Sequence, residues 1–360
     1  MTYLTALPFT QTFHSRKCLL AGRCGHRPLQ NNPRHSLDLQ EVFTTETTKQ
    51  LICVVGPTAT GKTKMGVALA KRFDGEVVSV DSMQIYRGMT VGTAAPTIDE
   101  MEGVPHHMIG IADPAESWSA ARFAAAADGC IQDILRRGKQ PILVGGTGLY
   151  LDAILRGTDF AAGHQGGETR KHLQDRLARE GIQPLWEELR KIDPDSAARL
   201  PMGDEKRILR ALEVYLETGE TITEHDRKSR QRPSRYEALF IGLSFKDRQD
   251  LKDRIDRRVD DMARAGLLDE VRELLARGLP RTATAWQAIG YKQFLAASDG
   301  LITEEEALAE VKLRSRQYAK RQLTWLRRNE AIHWVLWDKE PNFPLGLQNA
   351  TEFLLSSGVC

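Results

Sequence analysis

Residues 51–73 read LICVVGPTATGKTKMGVALAKRF. The run LICVV is short, apolar and unbroken, as in a parallel strand buried on both faces. The next eight residues, Gly56-Pro57-Thr58-Ala59-Thr60-Gly61-Lys62-Thr63, satisfy G-x-x-x-x-G-K-[ST] in full. Met65, Val67, Ala68, Leu69 and Ala70 then give the apolar content of a packed helix. Strand, glycine-bearing loop and helix in this order make a phosphate cradle. Successive backbone N–H groups curl around phosphate oxygens, and the helix N-terminus adds its dipole. Lys62 supplies a point charge, and the Thr63 hydroxyl is a candidate Mg²⁺ ligand.

Further apolar runs extend the pattern. EVVSVDS (76–82) reads as a second buried strand ending at Asp81, and PILVGG (141–146) as a third. Between them SAARFAAAADGCIQDILRRG (119–138) reads as a helix, as does GLYLDAILRG (148–157) afterwards. Strands alternating with helices argue for an α/β fold with a parallel sheet covered on both faces. After Asp159 the texture changes. AAGHQGGE (161–168) is a Gly-rich break, and Glu168–Glu224 is helical, polar and strand-poor. ALFIGLSF (238–245) supplies one more strand, and helices follow to Trp325, broken at Gly278-Leu279-Pro280 and around Gly290 and Gly300. The expected organisation is a P-loop NTPase-like parallel sheet flanked by helices and interrupted by a mostly helical insertion. Residues 1–49 form an extension expected to be disordered. Residues 50–160 form the first part of the core, 161–237 the insertion, 238–337 the second part with a basic C-terminal helix, and 338–360 a tail.

Composition excludes several classes. With 360 residues, 41% apolar and 27% charged, the chain has the make-up of a globular protein of about two domains. No apolar run approaches the ~18 residues of a membrane-spanning helix. Cys18, Cys24, Cys53, Cys130 and Cys360 form no C-x-x-C pair, so neither a disulfide framework nor a zinc site is written, and a reducing compartment is expected. The net charge of +2 conceals three basic patches. Residues 1–37 carry Arg16, Lys17, Arg23, Arg27 and Arg34 without an acid, RKSRQRPSR (227–235) carries five bases, and KLRSRQYAKRQLTWLRR (312–328) carries seven. Such patches suit polyanion binding at defined places. The acid-poor start also has the composition of an organellar transit peptide. The expected localisation is cytoplasmic, or organellar if residues 1–37 serve as that peptide.

The cradle implies a bound di- or triphosphate, not its hydrolysis. A hydrolase normally carries a Walker-B acid at the end of a neighbouring strand, whereas PILVGGTG ends in glycines and Thr147. Asp81 stands at the end of the other strand, on the edge where parallel sheets bind ligands. A carboxylate there can hold metal, act as a base or cap the next turn. Gly145–Gly148 lacks dinucleotide-fingerprint spacing and brings the Thr147 hydroxyl to the same edge. The adjacent His106-His107, with no further ligands nearby, reads as a loop feature rather than a metal site.

Taken together, GPTATGKT, VDSMQIYRGMTVGTAAP, GVPHHMI, PILVGGTGLYL, GYKQF and KRQLTWLRR resemble the tRNA dimethylallyltransferases, or tRNA isopentenyltransferases, from about Leu51 to Trp337. Lacking a C-terminal zinc finger, the chain is most similar to the bacterial form. The resemblance implies that the P-loop holds the diphosphate of dimethylallyl diphosphate and that the prenyl group goes to N6 of the adenosine 3′ of the anticodon. It implies catalytic roles for Asp81 as general base and for Thr147, and a prenyl-diphosphate site at Thr58–Thr63 within the loop that begins at Gly56 and Pro57. It implies tRNA contacts from Asp81, Ser82, Met83 and Gln84, from Thr147 and Arg170, and from Lys206, Arg207, Ile208, Leu209 and Arg210. Further tRNA contacts implied are Gln287, Gly290, Tyr291 and Lys292, then Lys320, Arg321, Gln322 and Arg327, while Arg254 and Arg258 resemble a diphosphate-contacting pair. Mg²⁺ on Thr63 is the expected cofactor. The partners are the tRNA anticodon stem-loop and dimethylallyl diphosphate, with no membrane and a monomeric state expected.

The chemistry that the resemblance implies is physically coherent. A carboxylate of ordinary pKa, ~3.9, is ionised at neutral pH and can take the proton of an amine as its C–N bond forms. Lys62, the loop amides and Mg²⁺ would meet the charge gathering on the leaving diphosphate. A base stacked in an anticodon loop reaches a buried carboxylate only after flipping out. On a helical wheel Lys312, Arg316, Lys320 and Arg327 form one cationic stripe and Arg314, Arg321 and Arg328 another. Tyr318, Ala319, Trp325 and Leu326 lie between as the expected buried seam. The alternatives are a P-loop kinase of a nucleoside or small metabolite, and a prenyltransferase acting on free AMP. A mononucleotide substrate would leave the insertion and the basic helix without purpose.

Overall fold

The computed structural model describes residues 50–157, 167–231 and 233–359. The extension expected at 1–49 and most of the break at 161–168 lie outside the described residues. The elements run β1 (Leu51–Val55), α1 (Lys62–Arg72), β2 (Gly75–Val80), α2 (Ile98–Met101), β3 (His106–His107), α3 (Ala120–Arg136), β4 (Gln140–Gly145) and α4 (Gly148–Arg156). Five helices follow without a strand: α5 (Glu168–Glu180), α6 (Ile182–Ile192), α7 (Pro194–Arg199), α8 (Glu205–Thr218) and α9 (Ile222–Gln231). The chain then returns through β5 (Ala238–Phe245), α10 (Arg248–Arg264), α11 (Leu267–Ala276), a 3-10 turn (Thr284–Gln287), α12 (Tyr291–Ser298), α13 (Glu304–Leu326), β6 (Ile332–Trp337) and α14 (Phe343–Ser356).

The six strands form one parallel sheet in the order β3-β2-β4-β1-β5-β6. β1, β2 and the centre of β4 are buried throughout because helices cover both faces, which is why these strands read as mostly apolar runs, interrupted in β2 by the buried Glu76 and Ser79. Register does the functional work. Val55 and Val80 both pair with Gly145, and Val55 also pairs with Gly242. The carboxyl ends of β1, β2 and β4 are therefore level, and the segments leaving them (the phosphate loop, Asp81 and Gly146-Thr147) start side by side.

Two apolar clusters sandwich the sheet. One is built on Phe123, Ile131, Ile134, Trp286 and Tyr291, the other on Met65, Leu69, Ile255, Trp337 and Leu354. Helices α5–α9 enclose a third cluster of their own, including Leu173, Leu185, Leu189, Ile208 and Leu212.

The structure corrects the reading at two places. Residues 338–360, expected as a tail, contain α14, whose Ala350 and Leu354 are fully buried against the sheet's second face. Its Gly346 is what allows the approach, since a Cβ there would fall 2.4 Å from the Trp337 ring. His106 and His107, expected in a loop, form the short edge strand β3. Pairing with β2 fixes their backbone, and His107 Nε2 lies 2.7 Å from the buried Glu76 carboxylate. Arg137 grips that carboxylate too, holding it well below the usual range at about 2.

Candidate active site

The phosphate loop is shaped by bonds that turn its carbonyls onto protein donors. Pro57 O accepts from Lys62 Nζ at 2.7 Å and from Thr60 Oγ1 at 2.9 Å. Ala59 O accepts from Arg254 Nε at 3.3 Å, and Thr60 O accepts from the indole N–H of Trp337 at 2.9 Å. Thr58 N–H donates to Gln322 Oε1 at 3.0 Å. Gly61 takes φ +85°, and a Cβ there would meet the Phe343 ring at 2.5 Å, so only glycine serves at the turn into α1.

Asp81 leaves β2 at the same level. Its Oδ1 accepts from the backbone N–H groups of Met83 at 2.8 Å and Gln84 at 3.3 Å, so one oxygen caps the next turn and fixes the carboxylate's direction. Turn cap and base are thus compatible roles, one for each oxygen.

Both groups line a cleft of about 760 Å³ with Arg254, Arg257, Arg258, Tyr318 and Gln322. Its electrostatics are unbalanced. Burial, then the nearby Arg258, push Lys62 down to about 7, and Asp81 offsets only part of this. Burial lowers Arg258 also, and its Nε has no hydrogen-bond partner. Lys62, Lys64, Arg254, Arg257 and Arg258 line the cleft against Asp81, Glu100 and Asp261, an excess of positive charge that a multiply charged anion would stabilise. Burial raises the Tyr318 phenol above its ordinary range, with Asp81 adding to the rise; Thr147 and Gln322 oppose it. Thr147 Oγ1 is buried there without a hydrogen bond of full geometry.

The opposite wall is the loop 90–97, which the sequence reading did not connect with the site. Glu270 of α11 accepts from the N–H groups of Thr90, Val91 and Gly92 and from the hydroxyls of Thr90 and Tyr291. Gln84 holds the loop's other end, donating to the carbonyls of Thr93 and Ala94 while accepting from Ser79. Glu270 stands 180 residues from its loop, and no local signal in the sequence announces the pairing.

The residues expected from sequence are distributed unevenly. Thr58–Thr63, Asp81, Gln84, Arg254, Arg258 and Gln322 share the cleft; Gly56 and Pro57 lie behind it, and Thr147 lines an adjoining small void. Thr63 is half-buried and lines the cleft. Lys206, Arg207, Gln287, Lys292, Lys320, Arg321 and Arg327 are exposed, as a polyanion surface requires, and Ser82 and Met83 are half-buried. Other members of the expected tRNA set sit in the interior. Ile208 and Leu209 belong to the insertion's core, because a helix presents only one side of KRILR to solvent. Tyr291 is fully buried on Glu270, Gly290 is buried at φ +100°, and Gln322 is committed to the two strand ends. Arg170 and Arg210 both face the buried Glu213, at 3.7 Å and 2.8 Å. In the basic helix Lys312 and Arg316 pair with Asp260 and Asp256 of α10, each at 2.6 Å, which removes half of one cationic stripe from the surface. Ala319 and Leu326 are buried as expected, whereas Tyr318 and Trp325 are half-buried. Of the 227–235 patch, Lys228 pairs with Glu220 and Arg235 with Asp128.

Among the described residues, no group of three or more His, Cys, Asp or Glu side chains is placed to hold a metal, and no helix is long and apolar enough to cross a membrane.

Comparison with known proteins bears on most of the chain. The family model described as IPP transferase matches residues 84–329, and one described as Isopentenyl transferase matches residues 49–110. The tRNA dimethylallyltransferase of Halalkalibacterium halodurans is 47% identical over 286 residues, 79% of this chain and 90% of that protein. That of Caldanaerobacter subterraneus is 42% identical over 306 residues, 85% and 97% of the two chains. A crystal structure of the full-length tRNA isopentenylpyrophosphate transferase from Bacillus halodurans is similar at 42% identity and a TM-score of 0.64, covering 86% of this chain and 96% of that one. A eukaryotic dimethylallyltransferase acting on tRNA is similar at 31% identity and a TM-score of 0.70, over 85% and 78%. On these matches, spanning the phosphate loop, the sheet and the basic helix alike, the chain belongs to the IPP transferase family of tRNA dimethylallyltransferases.

Proposed function

We propose that this protein transfers a dimethylallyl group from dimethylallyl diphosphate to N6 of the adenosine 3′ of the anticodon in tRNA, releasing diphosphate. The observation that carries the reading is a phosphate loop and a strand-end carboxylate sharing one cleft with Lys62 and Arg258, and β4 ending in Gly145 rather than an acid. Such a site holds a diphosphate and deprotonates a nucleophile without activating water. The C1–O bond of the donor breaks and its electron pair leaves with the diphosphate, toward Lys62, Arg258 and the loop. The N6 lone pair forms the new bond to C1. The proton released from N6 goes to the Asp81 carboxylate, on the oxygen not fixed by Met83 and Gln84.

A magnesium ion fits this donor set. Thr63 lines the cleft from the first turn of α1, whereas the Thr60 hydroxyl is spent on Pro57 O, and a single protein hydroxyl suits an ion that keeps several waters and takes its other ligands from phosphate. When bound it would neutralise charge on the departing diphosphate. The kinase and free-AMP alternatives have no support in relatives that are tRNA dimethylallyltransferases over 90% and 97% of their lengths. Cytoplasmic location and a monomeric state belong to the same proposal.

Calorimetry tests the donor. Dimethylallyl diphosphate should bind in a Mg²⁺-dependent manner and lose most of its affinity in Lys62→Ala. Tight ATP binding with turnover, and no binding of the prenyl donor, would overturn the reading.

A further inference from the structure

Gln322 lies on α13 among exposed cations, Lys320 and Arg321 just before it and Arg327 beyond it, yet it is itself only 7% exposed. Its Oε1 accepts from Thr58 N–H at 3.0 Å, and its Nε2 donates to Gly146 O at 3.1 Å. These partners are 264 and 176 residues away in sequence, one on the phosphate loop and one immediately before Thr147. The orientation of the carboxamide follows from its partners, because an N–H can meet only the oxygen and a carbonyl only the NH₂. Packing leaves no slack. A Cβ at Gly146 would lie 2.2 Å from Gln322 Nε2 and 2.9 Å from Gly56 O, so the backbone at the ends of β1 and β4 closes directly on this side chain.

We propose that Gln322 is a positioning residue for the transfer reaction. It locks the donor loop at Thr58 to the strand end that carries Thr147, and it ties both to the helix whose exposed face bears Lys320 and Arg321. The inference rests on the transfer reaction proposed above and assigns Gln322 to its geometry instead of to tRNA contact. Bonds of this kind fix the separation between the allylic carbon on the loop and the nucleophile approaching from the Asp81 side. An error of ~1 Å in such a separation costs roughly 10²-fold in rate.

The test compares wild type, Gln322→Met and Gln322→Glu in single-turnover transfer from dimethylallyl diphosphate to an unmodified tRNA transcript, both saturating. Gln322→Met fills the same space and loses both bonds. Its rate should fall by ~10–10², with tRNA affinity and its salt dependence within about twofold of wild type. Gln322→Glu retains the acceptor for Thr58 N–H, but when ionised it repels Gly146 O; when protonated it restores both bonds. Burial beside a carbonyl raises that carboxyl's pKa. The rate of Gln322→Glu divided by that of wild type should therefore climb as pH falls from about 8 to 6, a response that a merely structural role would not produce. Wild-type rate in Gln322→Met, or a loss of tRNA affinity with a flattened salt slope, would overturn the proposal. So would a pH-independent ratio for Gln322→Glu. An inactive wild type would overturn the transfer reading and this inference with it, whereas an active wild type matched by Gln322→Met overturns this inference alone.

Discussion

The site turns on a few side chains whose energies are set by burial. Lys62, held at about 7, loses its charge in the empty cleft as pH rises through that value, while an unfolded chain keeps it to ~10.4. The folded state therefore bears the full cost of the buried ammonium below pH about 7 and sheds it as pH climbs toward ~10.4. A diphosphate reverses the shift by stabilising the ammonium. Binding of dimethylallyl diphosphate at pH 8 should thus take up close to one proton at Lys62. Calorimetry in buffers of differing ionisation enthalpy measures it, and Lys62→Arg, protonated throughout, should remove the uptake. Asp81→Asn should lower the single-turnover rate by ~10²–10⁴ while tRNA affinity changes little; lost affinity with an intact rate would make Asp81 a tRNA-positioning group only. At this scale the sequence discloses what is local. The phosphate loop and Asp81 follow from spacing and from strand ends. Gln84 and Gln322 stand inside family motifs, but the partners that occupy their carboxamides become visible only in three dimensions.

Among the elements, β1, β2, β4 and β5 were legible because burial on both faces leaves short, mostly apolar runs. α14 was not, because its sequence FPLGLQNATEFLLS mixes Gly346, Asn349 and Thr351 among its apolar residues. Its glycine is explained only by the Trp337 ring that it meets. Far from being a tail, this segment braces the site. Phe343 lies against Gly61, and Glu340 pairs with Arg254 at 2.9 Å, beside the Trp337 of β6 that donates to Thr60 O. Leu354→Ala should therefore cost about 2–5 kcal/mol of stability, read from urea unfolding; an unpacked tail would show no change. The two cationic stripes expected on α13 hold as helix geometry through Arg321, while α13 ends at Leu326 and leaves Arg327 at its C-cap and Arg328 in the turn beyond. A wheel gives the angle of a residue but not its neighbour, so the capture of Lys312 and Arg316 by α10 could not be read from it.

At the scale of the whole molecule, the aligned ends of three strands put the phosphate loop, Asp81 and Thr147 on one edge, and α13, tied to that edge through Gln322, carries the exposed Lys320 and Arg321. Phosphate contacts release counterions, so each one contributes roughly −0.7 to −0.9 to the log–log dependence of affinity on salt. Lys320→Ala and Arg327→Ala should each flatten that slope by about one contact's worth, equally for every tRNA. Lys312→Ala and Arg316→Ala should leave it unchanged, because those side chains already answer carboxylates of α10. Filter binding across a salt series separates the two pairs. The central claim is that this cleft joins an allylic group to tRNA. Its most direct test incubates the purified protein with dimethylallyl diphosphate, Mg²⁺ and an unmodified tRNA transcript, then weighs the nucleosides released by digestion. The account expects one adenosine per tRNA, the one 3′ of the anticodon, to be heavier by a C₅H₈ unit, with diphosphate released in equal amount. Unmodified adenosine throughout, with ATP consumed when supplied in place of the prenyl donor, would contradict it.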